Sequence, residues 1–305
     1  MCLPYADVFT DDGMKPDLSR YEIGKIVYSG DQYPPNSLEQ VGCYVVPHPF
    51  VPQSLDLLPE MPHLEVLQLL SSGVDHVLPR VPRHVVVCNA PDLHAQATAE
   101  VGLSLILASL NHVPSWVGAQ RQRLWRDPGP RPRLVGKCVL LLGYGAVGRA
   151  LEVMLGGFDV RLVRVARRSR PGVAGVDELM ELLPNADIVV IAAPLTEQSR
   201  WLVGRTALAR MRPGTLVVNI SRGPVVDTDA LVEQLGSGRL RAALDVTDPE
   251  PLPPDHPLWR CPGTLISPHV GGNTADFRQR AVRFIREQLR RFLVGEHLAN
   301  VVRSR

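Results

Sequence analysis

No Cys-x-x-Cys pair occurs in this chain. Its five cysteines, Cys2, Cys43, Cys88, Cys138 and Cys261, are odd in number and far apart, so neither a disulfide framework nor a zinc site is indicated. Charge of one sign is not in excess either: 33 Lys and Arg stand against 31 Asp and Glu, a formal net charge of +2. Without a block of like charge there is no tail suited to nucleic acid, and without a basic amphipathic helix there is no membrane-surface element. Aromatic residues make up only 5%. The start, Met1-Cys2-Leu3-Pro4-Tyr5-Ala6-Asp7, lacks the charged and apolar regions of a secretory signal. No apolar run reads as long enough to span a bilayer. A soluble, cytoplasmic protein with no membrane or nucleic-acid partner and no metal is the expectation. Internal repeats and low-complexity tracts are also missing.

At 305 residues the chain exceeds the usual size of one domain. The clearest break is the Pro- and Arg-rich stretch 121–136. Behind it, short apolar runs alternate with helix-sized segments: Cys138–Leu142, Val160–Val165, Asp187–Ala192, Thr215–Ile220, Leu240–Val246 and Thr264–Ile266. That alternation predicts an α/β fold with a parallel sheet. Ahead of it, Lys25–Ser29, Gly42–Val46, Glu65–Leu70 and Val85–Cys88 predict a second, smaller α/β layer, followed by an apolar helix over Ala97–Leu110. Asp276–Val294 reads as a helix with Phe277, Ala281, Phe284, Ile285, Leu289 and Phe292 on one face.

The first chemical signal is Gly143-Tyr144-Gly145-Ala146-Val147-Gly148. It follows a strand candidate and opens a helical stretch, the context that a dinucleotide loop requires. Gly143 allows the tight turn, Gly145 the approach of a pyrophosphate, and Gly148 close helix–sheet packing, while the helix N-terminus offers free N–H groups. An NAD-selective site usually carries an acid about twenty residues further on, for the ribose 2′-hydroxyl. Here the stretch reads Val163-Arg164-Val165-Ala166-Arg167-Arg168-Ser169-Arg170. Ala166 stands where the acid would be, and Arg167 or Arg168 can grip a 2′-phosphate. NADP(H) is therefore expected in preference to NAD(H).

Three successive strand ends then deliver ionisable groups: Arg222, Glu250 and His269. Ligands of open parallel sheets sit outside the carboxyl ends of the strands, so the three can converge. Arg222 suits a 2-keto acid, pairing with its carboxylate and polarising its ketone. A histidine such as His269 can donate a proton to the developing alkoxide, and Glu250 can hydrogen-bond and orient the imidazole. After Glu65–Leu70 comes Ser71-Ser72-Gly73, a turn whose N–H groups suit a substrate carboxylate; Ser72 and Gly73 are the candidates.

The chain resembles the D-isomer-specific 2-hydroxyacid dehydrogenase family, most closely its NADP-dependent glyoxylate/hydroxypyruvate reductases. The resemblance runs from about Glu65 to Asp276. It is carried by Pro194-Leu195-Thr196, Asn219-Ile220-Ser221-Arg222-Gly223-Pro224-Val225-Val226-Asp227, Ala243-Leu244-Asp245-Val246, Glu250-Pro251 and Ser267-Pro268-His269-Val270-Gly271. It implies Arg222, Glu250 and His269 as the catalytic three, Ala146 and Val147 at the pyrophosphate, and Asp245 at the nicotinamide carboxamide. Ile220, Ser221 and Arg222 would line the nicotinamide side, with Pro194 near the adenosine. The implied fold is two Rossmann- or flavodoxin-like domains with the active site in the cleft between them. A discontinuous substrate domain would comprise 1–112 and 276–305, and a dinucleotide-binding domain 113–275. A homodimer formed through the cofactor domain is implied as well. Ser71-Ser72 stands where a phosphite dehydrogenase would carry lysine, and the glutamate–histidine pair is unlike that of formate dehydrogenase. Two other readings stay open at this point: an NAD-dependent dehydrogenase of a bulkier D-2-hydroxy acid, and a dinucleotide-sensing protein of the corepressor type.

Overall fold

The structure is a computed structural model, and it describes residues 38–47, 52–127 and 129–304. The strand candidate Lys25–Ser29 lies outside them. In chain order the strands are β1 (Cys43–Val45), β2 (Val66–Gln68), β3 (Val86–Cys88), β4 (Cys138–Leu142), β5 (Arg161–Ala166) and β6 (Ala174–Gly175). They continue with β7 (Ile188–Ile191), β8 (Leu216–Asn219), β9 (Arg241–Leu244), β10 (Thr264–Ile266) and β11 (Val301–Arg303). The helices are α1 (Pro91–Leu110), α2 (Val113–Arg121), α3 (Ala146–Leu155), α4 (Leu179–Leu182), α5 (Arg205–Arg210), α6 (Thr228–Gly236) and α7 (Phe277–Leu293).

Two compact units emerge: one runs to His94 and resumes at Thr274, and the other is Ala95–Asn273. These limits differ from the expected 112/113 and 275/276. The first displacement has a physical cause. Ala99, Leu105, Ile106 and Leu110 of α1 pack into the same core cluster as Val139 and Leu141 of β4, so most of α1 belongs with the larger sheet. The Pro/Arg-rich stretch that marks the break in sequence lies within that unit, beginning at the last residue of α2 and continuing, over its described residues, without helix or strand. By length and composition α1 is also apolar enough to cross a membrane, which the sequence reading did not allow for; 61% of its apolar window is buried inside the fold.

The larger unit holds a seven-stranded sheet in the order β10-β9-β8-β7-β4-β5-β6, with every pairing parallel. Its central strands are apolar on both faces, as strands covered twice must be. Leu140, Leu142, Val189, Ile191 and Val217 point into a core shared with Leu208 of α5 and Leu231 of α6. The alternate residues Val139, Leu141, Ile188, Val190, Leu216 and Val218 point into the core that α1 covers. Strand order reverses at β4: β5 lies on one side of it and β7 on the other. That reversal is the place where such sheets bind ligands.

The smaller unit is a four-stranded sheet, β1-β2-β3-β11. Its first three strands are parallel, and β11 is antiparallel to β3. The sequence reading placed no strand at β11, which is three residues long with Val301 and Val302 exposed. Tyr44, Val46, Leu67, Leu69, Val85 and Val87 form the core on one face. On the other, Ala281 and Ile285 of α7 join Leu70, Ala90 and Leu93.

Candidate active site

The glycine loop leaves β4 at the switch point, and each glycine does a separate job. Gly143 has φ +104° and lies so close to the backbone just after β7 that a Cβ would sit 2.3 Å from the Ala193 nitrogen. A Cβ on Gly148 would meet the Gly143 carbonyl oxygen at 2.4 Å, so the helix start is pressed onto the loop. Around Gly145 the space is open, with nothing within 4 Å of a Cβ. Gly145 is also the N-cap of α3 and supplies no side-chain cap. Ala146 and Val147, in the first turn, therefore offer backbone N–H groups to an anion. These features fit a dinucleotide pyrophosphate. Pro194, after β7, is exposed, and its carbonyl accepts from the Ser199 hydroxyl at 2.7 Å.

At the end of β5, Ala166 is followed by Arg167 and Arg168, both exposed. Among the described residues neither is hydrogen-bonded or ion-paired. Arg164 is committed elsewhere: it pairs with Glu152 of α3, which also accepts from the Tyr144 hydroxyl. Arg170, which sequence reasoning did not single out, donates to the Tyr144 carbonyl at 3.2 Å and stands over the Tyr144 ring at 5.7 Å. It also pairs with Val173 across a tight turn that follows the segment carrying Arg167 and Arg168.

The three ionisable groups come from the loops after β8, β9 and β10 of the same sheet. His269 Nδ1 lies 2.5 Å from Glu250 Oε1. Burial pushes the Glu250 carboxyl up, but the His269 hydrogen bond and charge, the Thr247 backbone N–H and the Arg222 charge outweigh it, so the net direction is down. Arg222 is half-buried and donates from Nη1 to the Ser221 carbonyl at 2.8 Å. Gly223 brings its loop against that of Glu250: a Cβ there would lie 1.9 Å from the Thr247 carbonyl oxygen. Ile220 is buried, and its side chain reaches Gly102 of α1, where a Cβ would meet Ile220 Cδ1 at 2.9 Å.

Asp245 is buried, and its carboxylate accepts from Ser267, Val270 and Gly271. Gly223 and Asn219 stand inside quoted motifs, yet neither was assigned a function on sequence; the signal was their fixed spacing from Arg222. Ser72 and Gly73 belong to the smaller unit, in the turn after β2. There the Ser72 carbonyl accepts from Asn89 Nδ2 at 2.8 Å, and the Gly73 carbonyl from the Ser71 hydroxyl at 2.9 Å.

A parallel sheet with an uncapped glycine loop at its switch point defines a dinucleotide-binding domain, and comparison with known proteins narrows the class. Residues 103–271 match the family model described as D-isomer specific 2-hydroxyacid dehydrogenase, NAD binding domain. A glyoxylate reductase of Thermofilum pendens is 34% identical over 255 residues, 79% of this chain and 75% of that one. A D-3-phosphoglycerate dehydrogenase of Methanocaldococcus jannaschii is 31% identical over 258 residues, 81% of this chain but 49% of that longer one. Among solved structures, a D-isomer specific 2-hydroxyacid dehydrogenase from Xanthobacter autotrophicus, in complex with NADPH and MES, superposes with a TM-score of 0.75 at 31% identity. That match covers 90% of this chain and 88% of the other. The chain belongs to the D-isomer-specific 2-hydroxyacid dehydrogenase family, with glyoxylate reductases among its relatives. It is an oxidoreductase of 2-hydroxy and 2-keto acids that uses a nicotinamide dinucleotide.

Proposed function

We propose that the protein reduces small 2-keto acids, glyoxylate and hydroxypyruvate first among them, with NADPH as the preferred cofactor. The observation that carries this reading is the 2.5 Å contact of His269 Nδ1 with Glu250 Oε1, on loops that leave the same sheet as the glycine loop. With Nδ1 directed at a carboxylate, Nε2 is the nitrogen left to face a substrate oxygen. When bound, the reduced dinucleotide supplies the hydride. Arg222 pairs with the substrate carboxylate and draws electron density toward the ketone oxygen. His269 delivers the proton from Nε2 to that oxygen as it gains charge, and Glu250 holds the ring in place and stabilises the imidazolium beforehand. In the oxidative direction the imidazole takes the hydroxyl proton back.

The cofactor preference is supported by the absence of an acid at Ala166 and by the two guanidinium groups that follow, which have no partner among the described residues. We assign the unit Ala95–Asn273 to the cofactor and the other, with Ser72 and Gly73, to the substrate carboxylate. A cytoplasmic homodimer is the form we propose. Steady-state rates over a panel of 2-keto acids, each run with NADPH and NADH, test the reading. Turnover of glyoxylate or hydroxypyruvate with a clear NADPH advantage supports it. An NADH advantage on a bulkier keto acid points instead to a dehydrogenase of that acid, and no turnover at all to a dinucleotide-sensing role.

A further inference from the structure

Two buried polar side chains stand at the ends of neighbouring strands, and both are turned toward the loops that carry Arg222 and His269. Asn219 closes β8 and Asp245 directly follows β9; they are 1% and 2% exposed. The Asp245 N–H donates to the Asn219 carbonyl at 2.9 Å, which links the two positions. Burying an amide or a carboxylate is unfavourable unless hydrogen bonds compensate, so the partners of each group report its purpose.

Asn219 gives its whole amide to the turn before and at Arg222. Its Nδ2 donates to the Arg222 carbonyl at 2.9 Å. Its Oδ1 accepts from the Ser221 N–H at 3.1 Å and from the Ser221 hydroxyl at 3.0 Å. Asp245 treats the His269 loop in the same way. Oδ1 accepts from the Ser267 hydroxyl at 2.6 Å and the Val270 N–H at 3.0 Å, and Oδ2 from the Gly271 N–H at 2.9 Å. The Asp245 carbonyl accepts from the His269 N–H at 2.8 Å. His269 itself sits at φ +51°, a conformation uncommon outside glycine that persists only where its surroundings over-determine it. The residue types match their tasks. A turn presenting a carbonyl and two donors needs an amide, and a loop presenting three donors needs an acceptor-only group.

We propose that Asn219 and Asp245 are positioning residues, Asn219 for the Arg222 guanidinium and Asp245 for the His269 imidazole, and that they govern different kinetic constants. This rests on the reading above, in which Arg222 anchors the keto acid and His269 donates the proton. A contact to the nicotinamide carboxamide would use acceptor capacity that Asp245 has left; it does not account for the three bonds already made. Displacing Arg222 chiefly weakens the grip on the substrate carboxylate and raises KM for the keto acid, with a smaller loss of kcat from weaker polarisation of the ketone. Displacing His269 slows proton transfer and lowers kcat with little change in KM.

The test compares the near-isosteric variants Asn219→Asp and Asp245→Asn with Ser267→Ala, which removes one donor without setting like groups against each other. Steady-state constants are measured together with hydrogen–deuterium exchange of the Ser221, Val270 and Gly271 amides. Asn219→Asp should raise the keto-acid KM about tenfold or more, change kcat less than about threefold and speed exchange at Ser221. Asp245→Asn should lower kcat about thirtyfold or more, leave the keto-acid KM within about threefold and speed exchange at Val270 and Gly271. Ser267→Ala should act in the same direction as Asp245→Asn, by about three- to tenfold. Three results overturn the proposal: kcat and KM moving together with loss of thermal stability, parental kinetics, or a rise in cofactor KM alone with exchange unchanged. His269→Gln and Arg222→Lys, run alongside, separate the two levels. If they keep parental kinetics, the reading of the site fails and the positioning proposal fails with it. If they are impaired while Asn219→Asp and Asp245→Asn are parental, only the positioning proposal fails.

Discussion

The imidazole of His269 has one nitrogen committed to Glu250, and that single contact sets what each residue can be asked to do. Replacing Glu250 by Gln keeps the shape but removes the charge that stabilises the imidazolium. We expect kcat to fall by about two orders of magnitude while cofactor affinity is unchanged, measured by steady-state rates and by a fluorescence titration with NADPH. The same pair has a pH signature. Because the Glu250 carboxyl is held below the ordinary range, its contribution to stability is fully present above the usual carboxylate pKa of about 4.3 and is lost as pH falls through the lowered value. The difference in melting temperature between the parent and Glu250→Gln should therefore be flat from neutral pH down to that region and shrink below it. A difference that grows as pH falls would mean the carboxylate is not stabilised by its neighbours. At the cofactor end, Arg167 and Arg168 have no partner among the described residues, so removing them breaks nothing within the fold. Arg167→Ala with Arg168→Ala should raise KM for NADPH by about ten- to a hundredfold, the worth of a charge-assisted contact, and leave KM for NADH nearly as it was. Equal effects on both cofactors would remove the 2′-phosphate from the account.

Among the elements, the loops after β4, β8, β9 and β10 matter more than the strands that launch them. Gly223 shows why. It permits an approach of the Arg222 loop to the Thr247 carbonyl that no other residue allows, since a Cβ would lie 1.9 Å from that oxygen. The obstacle is backbone and cannot swing aside. Gly223→Ala should therefore destabilise the larger unit by about 3 kcal/mol or more and lower kcat/KM far beyond what that destabilisation explains; urea unfolding and kinetics on the remaining folded protein check both. The elements themselves were largely legible in the sequence. β4 is found at the expected residues Cys138–Leu142, because a strand covered on both faces is apolar throughout and stands out between turns; β10, the half-buried edge strand, also lies at its expected residues Thr264–Ile266. Two helices begin earlier than their sequence patterns predict: α1 at Pro91 where the apolar pattern starts at Ala97, and α3 at Ala146 where it starts at Arg149. Their first turns carry polar or glycine residues that the apolar period does not register, and a proline at the first helical position is compatible with a helix start.

At the scale of the whole molecule, chain segments far apart in sequence complete one another. Gln288 of α7 donates to the buried Gln68 Oε1 at 2.6 Å, a contact across 220 residues. The same side chain donates to the Ala299 carbonyl and accepts from the Ala299 N–H. The last strand is thereby tied to the sheet that begins near Cys43. Gln288→Ala would leave buried polar groups of Gln68 and Ala299 without that partner. We expect a loss of about 2 kcal/mol, with faster amide exchange in β2 and β11 and none of the change in β4 or β8. Uniform exchange across both units would show that they unfold as one.

The sequence alone determined the class of this protein. Strand and helix periodicity is a local property, and so are the glycine loop, the missing acid at Ala166 and the order of Arg222, Glu250 and His269 along the chain. Local patterns can be read one segment at a time. What only the tertiary structure decided is how those segments constrain one another. The division at His94 follows from which sheet α1 packs against. The roles of Asn219, Gly223 and Asp245 follow from backbone atoms of neighbouring loops that meet them in space. Hydrogen bonds and close contacts depend on distances of a few tenths of an ångström, and spacing along a chain carries no information at that scale.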